Sequence, residues 1–177
     1  MSDAPISRLP VPDEAELPPD LQELFAANRA KPGFVPNVFR AMSLRPAALR
    51  GFIALYDALM AGEGGLSKAE REMIAVAVSA QNQCHYCLVS HGAVLRVRAK
   101  DAALADTVAA NYRAAPLTPR QRAMLDYAVK VTRASAEVGP EDHAALRAHG
   151  FGDEEIFDIT QIAAFFNYSN RAASALG

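Results

Sequence analysis

From Asp20 onward, apolar residues recur at spacings of three and four, and no segment alternates apolar and polar residues over any length. This spacing places apolar side chains on one face of an α-helix. Pro32-Gly33, the cluster at 62–65 and the capping pattern Ser67-Lys-Ala-Glu70 separate one helix from the next. The predicted helices cover 20–30, a short segment after Pro36, 46–60, 68–81, 83–98, 101–112, 118–136, 140–149 and 153–175. The pattern predicts an all-α multi-helix bundle, with Asn82 as the N-cap of the helix over 83–98.

The first 19 residues differ in composition from the rest of the chain. They hold five of the eleven prolines: Pro5, Pro10, Pro12, Pro18 and Pro19. Proline fixes φ and restricts the residue before it, so little helix can form there. We therefore predict a Pro-rich N-terminal arm over 1–19, followed by a single helical domain over 20–177.

Two helix starts resemble each other. Leu66-Ser-Lys-Ala-Glu-Arg71 and Leu117-Thr-Pro-Arg-Gln-Arg122 share spacing and residue types, and each opens an apolar helix. A diverged duplication of a helical hairpin would produce this likeness, and so would two independent helix starts of the same kind.

Composition and charge narrow the class of protein. Apolar residues make up 51% of the chain, enough for a sizeable core, and the formal net charge is −2. No basic run points to nucleic acid. No apolar stretch reaches the roughly 18 residues of a membrane span, and the N-terminus lacks the basic and apolar regions of a signal peptide. We expect a soluble, cytoplasmic protein with no nucleic acid or membrane partner.

The only two cysteines, Cys84 and Cys87, form a CxxC pair near a predicted helix start. In a reducing compartment such a pair is typical of redox catalysis or metal binding. The N-terminus of a helix stabilises a thiolate, and the second cysteine can resolve a sulfenic acid formed on the first. These positions predict a redox-active disulfide.

Two further side chains are expected beside this pair. His91 follows Cys87 by four residues and shares its helix face, where an imidazole can exchange protons near neutral pH. If the chain reverses near Asn82, the flanking helices are antiparallel and Glu72 stands beside His91. Glu72 lies among apolar residues and can accept or donate a proton there. We therefore take Cys84, Cys87, His91 and Glu72 as candidate catalytic residues.

Other interpretations of these residues are open. The same four side chains could supply zinc ligands, although structural zinc usually takes three or four Cys or His ligands and no second CxxC is present. The cysteines could also be inert buried thiols. Attachment of a c-type haem would need a histidine at Leu88. Local chemistry alone leaves the attacking cysteine undecided, since the first thiol of a CxxC is often the stronger acid and His91 favours Cys87.

The last predicted helix contributes two polar residues, Asn170 and Arg171, which we interpret as surface or capping residues; the alternative is that they hold a partner subunit or a substrate carboxylate. Its aromatic residues Phe165, Phe166 and Tyr168 are interpreted as core or subunit-interface packing.

The pattern Glu72, Cys84-x-x-Cys87 and His91 on successive helices resembles the alkylhydroperoxidase D-like branch of the carboxymuconolactone decarboxylase superfamily. The Cys-x-Tyr-Cys form, the Leu-Ser-x-x-Glu-Arg lead-in and the ending Phe166-Asn-Tyr-Ser-Asn-Arg171 resemble its peroxidase-related group. The resemblance extends from about Phe34 to the end of the chain.

The resemblance implies a helical fold and a homo-oligomer, either a trimer or a hexamer. It implies that Cys87 attacks the peroxide, that Cys84 resolves it, and that Glu72 and His91 relay protons. An external dithiol or a lipoylated protein would donate electrons, and no resident cofactor or metal is expected. Enzymes of the family have a histidine where this chain has Tyr86, so Tyr86 is a candidate for site support only: a phenol with a pKa of about 10 cannot shuttle protons as imidazole does.

We therefore expect thiol-dependent reduction of alkyl hydroperoxides by an antioxidant peroxidase. One alternative is a non-catalytic redox-sensing or assembly protein that uses the same disulfide. Another is a metal-binding helical protein.

Overall fold

The computed structural model describes residues 5–177, and the first four residues of the predicted arm lie outside this range. The described chain is all-α and contains no strand, which confirms the predicted fold class. Its nine α-helices are α1 (Pro19–Ala30), α2 (Asn37–Met42), α3 (Pro46–Met60), α4 (Lys68–Gln81), α5 (His85–Ala99), α6 (Leu104–Asn111), α7 (Pro119–Arg133), α8 (Pro140–Ala148) and α9 (Asp153–Leu176). None of these helices has the length and apolarity that crossing a bilayer requires.

The described residues form two compact units. The first runs to Tyr56 and includes Ala175–Gly177. In it, Leu21 and Phe25 lie four residues apart on α1 and are buried. Ser7 donates a hydrogen bond to the carbonyl of Leu176 across 3.1 Å. The division into an arm over 1–19 and a domain over 20–177 stays a prediction.

The second unit, Asp57–Ser174, is built around α4. Ten consecutive residues of α4, from Glu70 to Ser79, are buried, and the helix packs against α5, α6 and α7. A helix that is buried on all sides needs neighbours that cover every face. Ile74, Val76 and Val78 are fully buried. Each stabilises the fold by about 1.5–3 kcal/mol relative to an exposed side chain.

The two similar helix starts have the same local structure. Ser67 and Glu70 form a reciprocal capping box at α4, and Thr118 and Gln121 form one at α7. The arginine that follows each box donates to a preceding carbonyl: Arg71 to Leu59 and Arg122 to Tyr112. This likeness is local, and the duplication of a helical hairpin stays a prediction.

The turn between α4 and α5 differs from the prediction. Asn82 is the C-cap of α4, and Cys84 is the N-cap of α5. Between them, Gln83 has a φ of 54°, in the left-handed region. This conformation ends α4 and lets α5 begin at His85. The prediction of Asn82 as an N-cap was wrong because asparagine is compatible with either end of a helix.

Two other helix boundaries differ from the predicted ones. Asp101 lies outside α6, because its carboxylate accepts hydrogen bonds from the backbone N–H groups of Ala103 and Leu104. The predicted helix over 118–136 ends as α-helix at Arg133 and continues as a separate 3-10 turn, Ser135–Glu137.

Candidate redox site

The two cysteines are in direct contact at the start of α5. The Sγ atoms of Cys84 and Cys87 lie 2.8 Å apart, and both are free thiols. Cys84 precedes the first residue of the helix and Cys87 lies in its first turn. Both residues are buried, with 2% and 3% of their surface exposed. The contact brings the sulfurs close enough to share a proton.

His91 and Glu72 meet across the α4–α5 hairpin, as the spacing predicts. Nδ1 of His91 lies 2.8 Å from Oε2 of Glu72. The exposed fractions of the two side chains are 15% and 7%. The ring of Phe166 on α9 packs edge-on against the imidazole, with centroids 4.6 Å apart. The carboxylate and the aromatic ring therefore fix the orientation of the imidazole from two sides.

The thiols differ in acidity. The hydrogen bond from the Cys87 thiol, together with the backbone amide of Cys87, the Ser174 hydroxyl and the charge of His91, lowers the pKa of Cys84 from 9.0 to about 6, although burial acts in the opposite direction. The interaction with Cys84 and burial raise the pKa of Cys87. The first proton of the reduced pair is therefore lost from Cys84, and Cys87 keeps its own.

α9 contributes polar groups to the site that sequence reasoning missed. Cys84 and burial raise the pKa of Cys87, and Asn170 and Ser169 of α9 act in the opposite direction; Ser174 adds to the lowering of the pKa of Cys84 that the Cys87 thiol causes. Asn170 is only 1% exposed, so its interpretation as a surface or capping residue was wrong. The signal available in the sequence was a polar pair directly after an apolar, aromatic stretch of the same helix. Phe165 and Phe166 are buried, as predicted for core packing, whereas Tyr168 is 51% exposed and does not belong to the core of this chain.

Hydrogen bonds with Ser79 and Asn82 hold Asn170 in place. Its Nδ2 donates to Oγ of Ser79 across 3.0 Å, and its Oδ1 accepts from Nδ2 of Asn82 across 2.9 Å. Asn82 also donates to Oδ1 of Asn167 across 3.0 Å. The residue predicted to cap α5 thus connects the α4–α5 turn to α9.

Two further predictions concern Tyr86 and a possible metal site. Tyr86 lies half-buried in the first turn of α5, and its support of the site stays a prediction. Across residues 5–177, no group of three or more His, Cys, Asp or Glu side chains is arranged to hold a metal ion.

Residues 46–130 match the model of the carboxymuconolactone decarboxylase family. No curated protein matches the chain significantly.

Solved structures are similar over nearly the whole chain. An alkylhydroperoxidase AhpD core, an uncharacterized peroxidase-related protein from Ralstonia eutropha, is 55% identical with a TM-score of 0.96, and the match covers 98% of this chain and 92% of that one. An uncharacterized peroxidase-related protein from a Silicibacter species is 47% identical with a TM-score of 0.93, covering 99% and 93%. The debrominase Bmp8 in complex with 2,3,4-tribromopyrrole shares the fold alone, at 18% identity and a TM-score of 0.79, covering 96% and 90%.

The chain belongs to the alkylhydroperoxidase D-like branch of the carboxymuconolactone decarboxylase superfamily. The family includes proteins of different activity, so the reaction of this chain has to be argued from its own site.

Proposed function

We propose that this protein reduces organic hydroperoxides with the Cys84–Cys87 pair, which an external dithiol then regenerates. The observation that carries the proposal is the 2.8 Å contact between two reduced thiols of unequal acidity at a helix N-terminus. Such a pair needs only a small movement to form a disulfide bond, whose length is about 2.05 Å. The similarity to peroxidase-related proteins supports the same class of reaction.

The reaction has three steps. In the first, a Cys87 thiolate attacks the outer peroxide oxygen, the O–O bond breaks, and a proton converts the leaving alkoxide to an alcohol while Cys87 becomes a sulfenic acid. In the second, the Cys84 sulfur attacks that sulfenic acid, the disulfide forms and water leaves. In the third, a dithiol reduces the disulfide by exchange and is itself oxidised to a disulfide.

The Glu72–His91 pair is proposed to supply and remove protons in these steps. The carboxylate holds Nδ1 of the imidazole, which leaves the ring oriented for proton exchange through Nε2. His91 lies one helical turn after Cys87 on α5. A proton delivered to the leaving alkoxide makes cleavage of the O–O bond easier, which is the usual contribution of a general acid.

The assignment of Cys87 as the attacking thiol needs a proton transfer within the pair. The thiolate rests on Cys84, and Cys87 holds the proton. Transfer of that proton to Cys84 across the contact between the sulfurs places the negative charge on Cys87. Cys84 then has the proton that leaves as part of water in the second step.

The partners are proposed to be a hydroperoxide, a dithiol or lipoylated-protein electron donor, and further copies of this chain in a trimer or hexamer. Val89 and Val97 lie eight residues apart on one face of α5 and are 57% and 74% exposed. An exposed apolar face on the helix that carries the site supports assembly. Light scattering of the purified protein measures the oligomer, and a monomer would contradict this part of the proposal.

The test is consumption of cumene hydroperoxide with dihydrolipoamide or dithiothreitol as donor. Wild type should turn over, whereas Cys87→Ser and Cys84→Ser should not. Mass spectrometry after one equivalent of peroxide should show an intramolecular disulfide in wild type. Turnover retained in Cys87→Ser contradicts the mechanism, and a disulfide without turnover would favour a redox-sensing or assembly protein.

A further inference from the structure

The turn that leads into Cys84 is tied to α9 by side-chain amides. Nδ2 of Asn82 donates to Oδ1 of Asn167 across 3.0 Å and to Oδ1 of Asn170 across 2.9 Å. These two hydrogen bonds form the Asn82 clamp. A carboxamide has two N–H donors, so the clamp uses both donors of Asn82. Only Gln83 separates Asn82 from Cys84, and the clamp therefore acts on the backbone directly before one of the two thiols.

The orientation of these amides follows from neighbours that can only donate or only accept. Nδ2 of Asn167 donates to the main-chain carbonyl of Ala163 across 3.0 Å, and Oδ1 accepts from the guanidinium of Arg171 across 2.7 Å. A carbonyl never donates and a guanidinium never accepts, so the atom of Asn167 that meets Asn82 is oxygen. Asn82 must then present its nitrogen, which also reaches Asn170. Both bonds of the clamp thus depend on an NH2 group, which a carboxylate of the same size does not provide.

A second connection runs from Asn170 to the backbone of Cys84. Nδ2 of Asn170 donates to Oγ of Ser79 across 3.0 Å, and the carbonyl of Ser79 accepts from the N–H of Cys84 across 3.1 Å. Ser79 is fully buried and Asn170 is 1% exposed, so water does not compete for the bond between them. On its other side, the carbonyl of Cys84 accepts from the N–H of Leu88 across 2.9 Å. The backbone of Cys84 is therefore held at both ends.

The residue between Asn82 and Cys84 is the one that needs this restraint. Gln83 is exposed and has a φ of 54°, a left-handed conformation that is unfavourable for residues other than glycine. Such a conformation persists only where the surrounding structure holds it. The Asn82 clamp lies directly beside it. Without the clamp, Gln83 can relax toward more favourable backbone angles, and Cys84 moves with it.

We propose that Asn82 is a positioning residue, which holds Cys84 where its sulfur can close the disulfide with Cys87. The two sulfurs lie 2.8 Å apart, and a reaction within one molecule is favoured when the reacting atoms are held at contact. This inference rests on the proposed function, in which Cys84 attacks the sulfenic acid of Cys87. In that step one S–S bond forms, the S–O bond of the sulfenic acid breaks and water leaves. Loss of the clamp changes none of these bonds, but it lowers the fraction of molecules in which the Cys84 sulfur is in place.

The first measurement is the equilibrium between the two thiols and the disulfide, which needs no peroxide. The full chain is equilibrated with reduced and oxidised lipoamide, and each disulfide formed in the protein reduces one lipoamide disulfide to two thiols. Alkylation and mass spectrometry give the oxidised fraction. Asn82→Ala should lower the equilibrium constant for disulfide formation about tenfold, since freeing the backbone of one residue has about that effect. Tenfold corresponds to a reduction potential about 30 mV less negative. Asn82→Asp keeps the size but lacks the donors, and it should shift the equilibrium in the same direction.

The second measurement separates closure of the disulfide from attack on the peroxide. In the Cys84→Ser background, one equivalent of cumene hydroperoxide should form the sulfenic acid of Cys87 equally fast with and without Asn82→Ala. In the protein with both cysteines, Asn82→Ala should slow closure by a factor similar to the change in the equilibrium, so that dimedone traps the sulfenic acid. A general loss of structure would slow both reactions.

Asn111→Ala is the matched control. Asn111 is the last residue of α6, and its Oδ1 accepts from the backbone N–H of Arg113, so the substitution removes an asparagine hydrogen bond outside the network around Asn82. It should leave the equilibrium with lipoamide unchanged. An equal change in Asn111→Ala, or an unchanged equilibrium in Asn82→Ala and Asn82→Asp, would overturn the inference.

Circular dichroism checks the fold of each variant. If neither Asn82→Ala nor Asn82→Asp folded, the inference would also be overturned, because Asn82 would then hold the fold rather than the position of Cys84. A shifted equilibrium in a protein whose wild type consumes no peroxide would refute the proposed function alone. Peroxide turnover by wild type with an unshifted equilibrium in the variants would refute this inference alone.

Discussion

Nδ1 of His91 on α5 and Oε2 of Glu72 on α4 lie 2.8 Å apart, although nineteen positions separate the two residues in the sequence. The pair is nearly enclosed, and the imidazole is held in one orientation by the carboxylate and by Phe166. A histidine fixed in this way is suited to transfer protons repeatedly without reorienting.

His91→Gln should lower peroxide turnover about 100-fold, because general acid–base groups contribute 10²–10⁴-fold to rates. Glu72→Gln keeps a hydrogen-bonding partner for the ring and should lower turnover less. His85→Gln is the matched control, since His85 is exposed on the same helix and should leave turnover unchanged. Steady-state peroxide consumption measures all three. Equal effects of His85→Gln and His91→Gln would contradict a specific role for His91.

The reduced pair should titrate in an unusual pH range. Cys84 should form a thiolate with a midpoint at about pH 6, since the Cys87 thiol is the largest cause of its lowered pKa. Cys87→Ala removes that hydrogen bond and should move the Cys84 titration toward higher pH. Absorbance at 240 nm under anaerobic conditions reports the thiolate. A wild-type midpoint near 9, unaffected by Cys87→Ala, would show that the thiols do not interact.

The same shift has a consequence for stability. In the folded protein the pKa of Cys84 lies below its ordinary value of 9.0, so between about pH 6 and pH 9 the unfolded chain binds more protons than the folded one. The contribution of Cys84 to the free energy of unfolding is therefore fully present above pH 9 and is lost as the pH falls through about 6. Urea unfolding of the reduced protein at pH 5.5, 7 and 8.5 should show stability rising with pH relative to Cys84→Ala. Because the pKa of Cys87 is raised, its contribution makes the folded protein less stable as the pH rises above 9.

Arg71, at the start of α4, is buried and forms an ion pair with Asp158 of α9, whose side chain is 26% exposed. Nη2 of Arg71 lies 2.9 Å from Oδ2 of Asp158, and the arginine side chain is 2% exposed. Asp158→Asn should lower the free energy of unfolding by about 3 kcal/mol, because it leaves a buried charge without its partner. Asp153→Asn on the same helix breaks the exposed pair with Arg147 and should cost at most about 1 kcal/mol. Chemical unfolding measures the free energy of unfolding of both variants. Similar losses would contradict the expectation that the less exposed ion pair contributes more.

Gln83 has the left-handed backbone that favours glycine. Gln83→Gly should stabilise the fold by about 0.5–1 kcal/mol, since relief of backbone strain exceeds the added freedom of the unfolded chain. Ala93→Gly, at an exposed interior position of α5, should destabilise by about 1 kcal/mol. Thermal unfolding shows whether each variant is more or less stable than wild type. A less stable Gln83→Gly would mean that the Gln83 side chain stabilises the fold by more than its left-handed backbone destabilises it.

Much of the site could be predicted from the sequence because it lies within one helical hairpin. The capping box at Ser67 and Glu70 located the start of α4, and the reversal near Asn82 fixed the register that brings Glu72 to His91. Each of these features depends on residues fewer than 25 positions apart, and helical geometry relates such residues directly.

The polar groups of α9 could not be found in this way. Asn170 lies 83 residues after Cys87, and nothing in helical periodicity indicates which hairpin its helix will cover. Asn82 was misassigned for a related reason. Its side chain was expected to cap a neighbouring backbone, but it binds Asn167 and Asn170, which only the tertiary structure brings close.

The burial of both sulfurs bears on the rates of the two half-reactions, oxidation by the peroxide and reduction by the dithiol. With 2% and 3% of the cysteine surfaces exposed, a small hydroperoxide needs less room to reach Cys87 than the open-chain dithiol of the proposed dihydrolipoyl donor needs to reach the disulfide. Thiols that are free in solution, such as glutathione, meet the same steric barrier. Oxidation thus needs little opening of the protein around the cysteines, whereas reduction needs more. We expect this opening, rather than the thiol–disulfide exchange itself, to limit the rate at which the reductant regenerates the two thiols.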